Sequence, residues 1–218
     1  MARYFKHRPL LDSSAVPVRQ CLRRLPLAIR DEVAAELRRW EEAGVIEKVD
    51  SSPWLSNMVV VCKKSGEIRL CVDLSAVNQA VIPRRHPLPT AEDITAEFHR
   101  STVFSKLDLK QDYLQLRMAE GSPCITAFLT QVGVFQFRRM PFGLSSAPSA
   151  FQKMMTSVLA GIPGVAIYMD DIAVHGPDRK IHAERLDQVF QRLTCHQLTV
   201  NNEKCLIGVA ETLFVGRY

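Results

Sequence analysis

At 218 residues and 47% hydrophobic content, the chain is long enough to bury one core or two closely joined ones. Its formal net charge of +5 suits a polyanionic partner, and no stretch approaches the ~20 apolar residues that cross a bilayer, so no membrane partner is expected. The basic start Met1–Arg8 has no apolar run behind it, which argues for an intracellular protein without a signal peptide, and the six cysteines show no zinc or disulfide spacing.

Residues 1–30 carry prolines at 9, 17 and 26 and little periodicity, so they read as an extended lead-in. From Asp31 to Ala43 the apolar residues Val33, Ala34, Leu37, Trp40 and Ala43 recur at helical spacing, with Asp31 placed to cap the start and Gly44 to end the helix. A hairpin is expected next: valine-rich Asn57–Lys63, a Ser65-Gly66 turn, then alternating Glu67–Asp73. After a connection bearing Pro83, Pro87 and Pro89, Val103–Leu107 reads as a buried strand and Val132–Phe137 as another. Ala147–Ala160 has the pattern of a helix, with Pro148 in its first turn and Phe151, Met154, Met155 and Val158 along one face. Val165–Met169 and Ile172–Val174 are short apolar strands flanking Asp170-Asp171, and Lys180–Cys195 is a second helix. Leu198–Val200 and Leu213–Val215 are strand-like. Strands mixed with helices and joined by tight turns argue for an α+β fold with a largely antiparallel sheet.

Two adjacent carboxylates at the tip of an apolar hairpin repel one another, and a divalent cation would remove that cost. Hard oxygen ligands suit Mg²⁺ or Mn²⁺. A bare Asp-Asp pair is more often a solvated turn, but the flanks Val165–Met169 and Ile172–Val174 count against that here. Asp108 ends the strand Val103–Leu107, where an aspartate serves as a cap or turn former more often than as a ligand.

Phe104-Ser105-Lys106-Leu107-Asp108-Leu109 followed by Tyr113-Leu114-Gln115 resembles the first catalytic motif of reverse transcriptases of retroviruses and gypsy-type LTR retrotransposons. Arg139–Leu144 with Ala147-Pro148 and Phe151-Gln152 resembles their next motif, and Tyr168-Met169-Asp170-Asp171 the Tyr-x-Asp-Asp box. Asn201–Cys205 is similar to the lysine-bearing motif that follows, while Ser52-Pro53-Trp54 and Lys63–Asp73 look like the fingers. Five motifs in the family's order carry far more weight than any one of them.

The resemblance implies an RNA-directed DNA polymerase, a nucleotidyltransferase that adds deoxynucleotides to a primer on an RNA or DNA template. Its fold would be the fingers and palm of a polymerase right hand, with the palm sheet packed on helices. It also implies a place in a pol polyprotein beside protease, RNase H and integrase. Asp108, Asp170 and Asp171 would hold two Mg²⁺ ions (Mn²⁺ as substitute), with the Leu109 carbonyl as a further metal ligand. Lys63 and Arg69 would contact the incoming deoxynucleoside triphosphate. Tyr113 would exclude a ribose 2′-hydroxyl, Phe142 and Gln152 would lie near nucleotide and template, and Lys204 would protonate pyrophosphate. Read without the resemblance, Lys63 and Arg69 are solvated charges and Tyr113 a half-buried core tyrosine.

The expected organisation is a lead-in over 1–30, fingers and their connection over 31–102, and mainly palm over 103–218. The sequence ends near the start of the family's primer-gripping hairpin, so an absent or incomplete thumb is expected. A rival reading is a catalytically weak, retroelement-derived relic that only binds nucleic acid. Two positions depart from the family pattern: Ser75, where an arginine is usual, and Asp112, where glycine or alanine is usual. A carboxylate at 112 places bulk and negative charge where backbone N–H groups would cradle a triphosphate. Asp112→Gly is therefore expected to lower the nucleotide KM in primer extension, and an unchanged KM would remove this reading of the position.

Overall fold

The computed structural model describes residues 5–62, 68–83, 90, 96, 98–212 and 214. In chain order its first elements are β1 (Lys6–His7), α1 (Arg30–Glu42), β2 (Ile46–Val49), β3 (Ser56–Cys62), β4 (Ile68–Val72) and α2 (Ser75–Ala80). The middle of the chain supplies β5 (Val103–Asp108), β6 (Arg117–Met118), β7 (Phe128–Thr130) and β8 (Gly133–Phe137). The last elements are α3 (Ala147–Val158), β9 (Val165–Tyr168), β10 (Asp171–Gly176), α4 (Arg179–Cys195) and β11 (Leu206–Val209). The chain forms two compact units that interleave in sequence: residues 6–84 with 116–147, and residues 1–5 with 85–115 and 148–218. No described helix is long and apolar enough to cross a membrane.

The first unit is built on a five-stranded sheet in the order β2-β8-β7-β3-β4, parallel only between β3 and β7. The valine run of β3 suits a pleated strand, and it pairs with β4 in the register Met58↔Val72 and Val60↔Leu70. Phe128, Phe135 and Phe137 form an aromatic core with ring centroids 5.3 and 6.1 Å apart, and Trp40 of α1 packs on Phe137 at 5.7 Å. Helix α1 buries Val33 and Leu37. Its start differs from the expectation: a 3-10 turn over Leu27–Ile29 leads directly into Arg30, so Asp31 lies inside the first turn and no side chain caps the end. There its charge still complements the helix dipole. The segment before α1 runs extended and is held through its backbone: β1 pairs parallel with β6, and single bridges join Leu11 to Val81 and Arg19 to Leu55.

The second unit carries the four-stranded antiparallel sheet β11-β5-β10-β9. The alternation of β5 places Val103, Ser105 and Leu107 on its buried face and Phe104, Lys106 and Asp108 on its half-buried face. Leu107 and Ile172, cross-strand partners, are both fully buried, each stabilising the fold by about 1.5–3 kcal/mol. Helix α4 packs on β10 and β5 and buries His182, Val189 and Leu193, while α3 buries Phe151, Met154, Met155 and Val158. Asp178 caps α4 by accepting the Ile181 N–H at 2.8 Å.

The strand expected at Leu198–Val200 reduces to one bridge between Val200 and Leu109. The expected turn at Ser65-Gly66, and Leu213 and Val215 of the last strand-like segment, lie outside the described residues. The short strands β2, β6, β7 and β11 and the helix α2 carry too few residues to show a period.

A buried polar link fastens helix to sheet. Ser105 Oγ is bonded to His182 Nε2 at 2.9 Å and accepts the Gly208 N–H at 3.0 Å, which ties β5, α4 and β11 together. Burial, and then the neighbouring Arg185, hold the His182 pKa below the usual imidazole value. Gly176 lets the two elements approach so closely: a Cβ there would stand 2.9 Å from the backbone N and Cα of His182. Gly176→Ala is expected to destabilise the protein by about 1–3 kcal/mol, read as a lower urea midpoint at constant slope.

Candidate active site

Strands β9 and β10 are joined by a two-residue loop, Met169-Asp170, with Tyr168 opposite Asp171. Such tight loops require positive φ, and Met169 supplies it at 55° although it is not glycine. The neighbouring helix offsets the strain. Gln152 on α3, only 2% exposed, accepts the Met169 N–H on its Oε1 at 2.7 Å. Its Nε2 donates to the Ile167 carbonyl at 3.0 Å. One buried amide thus grips both the turn and the strand leading into it.

This geometry exposes Asp170 at the tip and puts Asp171 at the first position of β10, directly opposite Asp108 at the end of β5. Opposed residues of an antiparallel pair project to the same face with Cβ atoms about 4.5–5.5 Å apart, so two like charges here oppose folding. Two lysines answer that charge. Lys106 Nζ lies 2.8 Å from Asp171 Oδ2, and Lys204 Nζ lies 3.5 Å from Asp108 Oδ2. Lys204 reaches the site because residues 199–201 run beside 108–110: the Lys110 N–H donates to Thr199 O and the Asn201 N–H to Asp108 O, both within 2.9 Å. A 3-10 turn over Asn202–Lys204 completes the approach.

Leu109 is buried at the Val200 bridge, and Gln111 takes a positive φ of 50° to turn the chain into the 3-10 helix Asp112–Gln115. Tyr113 is half-buried, with its ring edge-on to Phe151 at 5.5 Å. Its phenol pKa is raised by burial first, then by Asp170 and Asp112. Asp112 is pushed up to about 6, mostly by burial and further by Asp170 and Asp108; its own backbone N–H and Lys204 act in the opposite sense.

The donor chemistry fits a hard divalent cation: two carboxylates stand in direct cross-strand register and a third lies at the adjoining turn. Among the described residues no group of three or more acidic, histidine or cysteine side chains stands close enough to hold a metal as it is placed. The lysines hold Asp171 and Asp108 instead.

The second unit thus contains Asp108, Leu109, Tyr113, Gln152, Asp170, Asp171 and Lys204. In the first unit, Arg69 of β4 lies with its guanidinium carbon 5.9 Å from the ring centroid of Phe142. The loop after Phe142 is held by Asn78, which donates to Gly143 O and accepts the Ser145 N–H, both at 2.7 Å. Lys63 lies outside the described residues. Two features escaped the sequence reading. Lys106 sits inside a quoted motif, and its two-residue spacing from Asp108 was a usable sign that both share a face. The grip of Gln152 on the turn had no local sign, because it joins residues 15 and 17 positions apart.

The folded pKa of Asp112 exceeds its unfolded value, so its ionised form is disfavoured by folding and the penalty develops between about pH 4 and pH 6. Asp112→Asn is therefore expected to stabilise the protein above pH 6 by about 1–2 kcal/mol after allowance for partial exposure. The gain should vanish below about pH 4 in denaturant melts across that range.

The sequence model of the family described as "Reverse transcriptase (RNA-dependent DNA polymerase)" matches residues 61–217. The "Uncharacterized protein K02A2.6" of Caenorhabditis elegans is 37% identical over 208 residues, which is 94% of this chain and 16% of that protein. The "Transposon Tf2-3 polyprotein" of Schizosaccharomyces pombe is 34% identical over 194 residues, 87% of this chain and 14% of the polyprotein. Among solved structures, the protease–reverse transcriptase of prototype foamy virus superposes with a TM-score of 0.85 at 25% identity, covering 97% of this chain and 29% of that one. The chain thus spans a small part of the relatives it matches.

Proposed function

The chain belongs to the reverse transcriptase (RNA-dependent DNA polymerase) family, and we propose that it carries that family's chemistry: extension of a primer 3′-hydroxyl by deoxynucleotides on an RNA or DNA template. The observation that carries the reading is the register Asp171↔Asp108 with Asp170 at the adjoining turn. The unit with the four-stranded sheet is assigned as palm and the other as fingers, with residues 116–147 returning to the fingers. The similarity to a transposon polyprotein supports a place for this segment within such a polyprotein.

Phosphoryl transfer needs aligned reactants and neutralised charge rather than covalent chemistry. Asp108, Asp170, Asp171 and the Leu109 carbonyl would hold two Mg²⁺ or Mn²⁺ ions, which supply nucleophile activation and charge stabilisation when bound. Gln152 acts through the turn: it fixes the backbone that aims Asp170 and Asp171. Tyr113, braced against Phe151, is assigned as the wall that meets the sugar of the incoming nucleotide. Lys204, already beside Asp108 and two-thirds exposed, is placed to deliver a proton to departing pyrophosphate. Arg69 and Lys63 are assigned to the triphosphate, and Phe142 to an apolar wall beside it.

Primer extension with Mg²⁺ or Mn²⁺ on RNA and DNA templates tests the reading. The unaltered chain should extend the primer, and Asp170→Asn should reduce the rate at least ~100-fold. Equal activity in both proteins, or activity independent of divalent metal, overturns it. No extension with retained duplex binding selects the relic reading, which the half-buried carboxylate of Asp112 favours.

A further inference from the structure

We propose that Lys106 is a built-in stand-in for a cation of the aspartate site, holding Asp171 in the metal-free protein and yielding it when a divalent ion binds. The inference rests on the metal-site reading above and adds a residue to which that reading gave no role.

The register of β5 and β10 fixes the geometry. Phe104, Lys106 and Asp108 share the half-buried face of β5, opposite His175, Ala173 and Asp171, and Phe98 packs on its Phe104–His175 end. Lys106 is therefore paired with Ala173, which is fully buried and brings no charge of its own. Its ammonium comes to rest 2.8 Å from Asp171 Oδ2, diagonally across the ladder. Both side chains are about a quarter exposed, at 25% and 28%, so water screens this pair less than an exterior one. Lys204 contrasts with it, being 66% exposed and 3.5 Å from its partner. Strand β5 lies inside the sheet, between β11 and β10, so the lysine Cα is anchored while four rotatable carbons carry the charge. A point charge on a flexible stem can withdraw without moving a strand.

The exchange replaces a single positive charge beside Asp171 with a double one. Without metal, Asp108 and Asp171 face each other across the ladder and the lysine suppresses their repulsion. With metal, the ion takes that role and the ammonium becomes a competitor that must leave. Lys106 therefore has opposite effects on the two states: it stabilises the metal-free fold and weakens metal binding. A salt bridge with no part in metal exchange would contribute stability in both states and leave metal affinity unaltered.

Mn²⁺ titration followed by the electron paramagnetic resonance of free Mn²⁺ tests this, with thermal melts in chelator and in excess Mn²⁺. Lys106→Met is expected to bind Mn²⁺ about three- to five-fold more tightly. It should also melt lower than the unaltered chain in chelator, with the deficit closing in excess Mn²⁺. Lys106→Gln, which keeps a polar tip, should behave in the same way and serves if the Met variant folds poorly. Lys110→Met, which removes the same charge from an exposed neighbouring position, should leave Mn²⁺ affinity unchanged. Asp108→Asn should lose Mn²⁺ binding. If Asp108→Asn binds Mn²⁺ as well as the unaltered chain, the metal-site reading fails. If Asp108→Asn loses binding while the Lys106 variants bind as the unaltered chain does, or the Lys110 variant tightens equally, the stand-in role alone is overturned.

Discussion

Two carboxylates face each other across the central strand pair of the palm sheet, and most of the surrounding arrangement answers that opposition. Asp108 ends β5 and Asp171 begins β10, directly opposed in the ladder. Shifting the register by one residue would carry Asp171 to the face that Ile172 now fills and bury its charge against apolar residues. The register is held from the other side of the sheet, where Leu107 and Ile172 are completely buried. The hydrophobic core thus pays for a charge arrangement that the strands alone would avoid.

Positioning is shared among elements that are distant in sequence. Helix α3 sends one amide into the β9–β10 turn and so holds Met169 at positive φ. Helix α4 approaches β10 closely because Gly176 has no side chain, and His182 then reaches Ser105 on β5. The same serine hydroxyl accepts the Gly208 N–H of β11, the strand that follows the turn bearing Lys204. Each device acts on backbone rather than on the carboxylates themselves. The acidic side chains are left to pair with mobile ammonium groups, which is the condition under which a site can change its counter-ion.

Asp112 stands apart from this economy. It lies half-buried where two further aspartates raise its pKa, and its only cationic counterweight in that balance is Lys204, which also faces Asp108. Asp108, Asp112, Asp170 and Asp171 stand against Lys106 and Lys204, so the site carries two more acids than its lysines offset. The register of the sheet decides whether Asp108 and Asp171 stand opposite each other at all.

The sequence by itself determined the elements whose residues repeat with a period and the motifs whose order is local. Helix α3, helix α4 and strand β5 were legible because their apolar spacing is set by burial on one face. The Tyr168–Asp171 box and the Asp108 motif were legible as types of residue at fixed separations, and family membership follows from them together with the comparisons. The short strands β2, β6, β7 and β11 were not legible, since two to four residues cannot show a period and their pairing partners lie far along the chain. Only the tertiary structure decided that Gln152 holds the turn, that Lys106 holds Asp171, and that residues 199–201 bring Lys204 beside Asp108. Those contacts depend on strand register and helix packing, which join residues far apart in the chain and leave no mark on either segment alone.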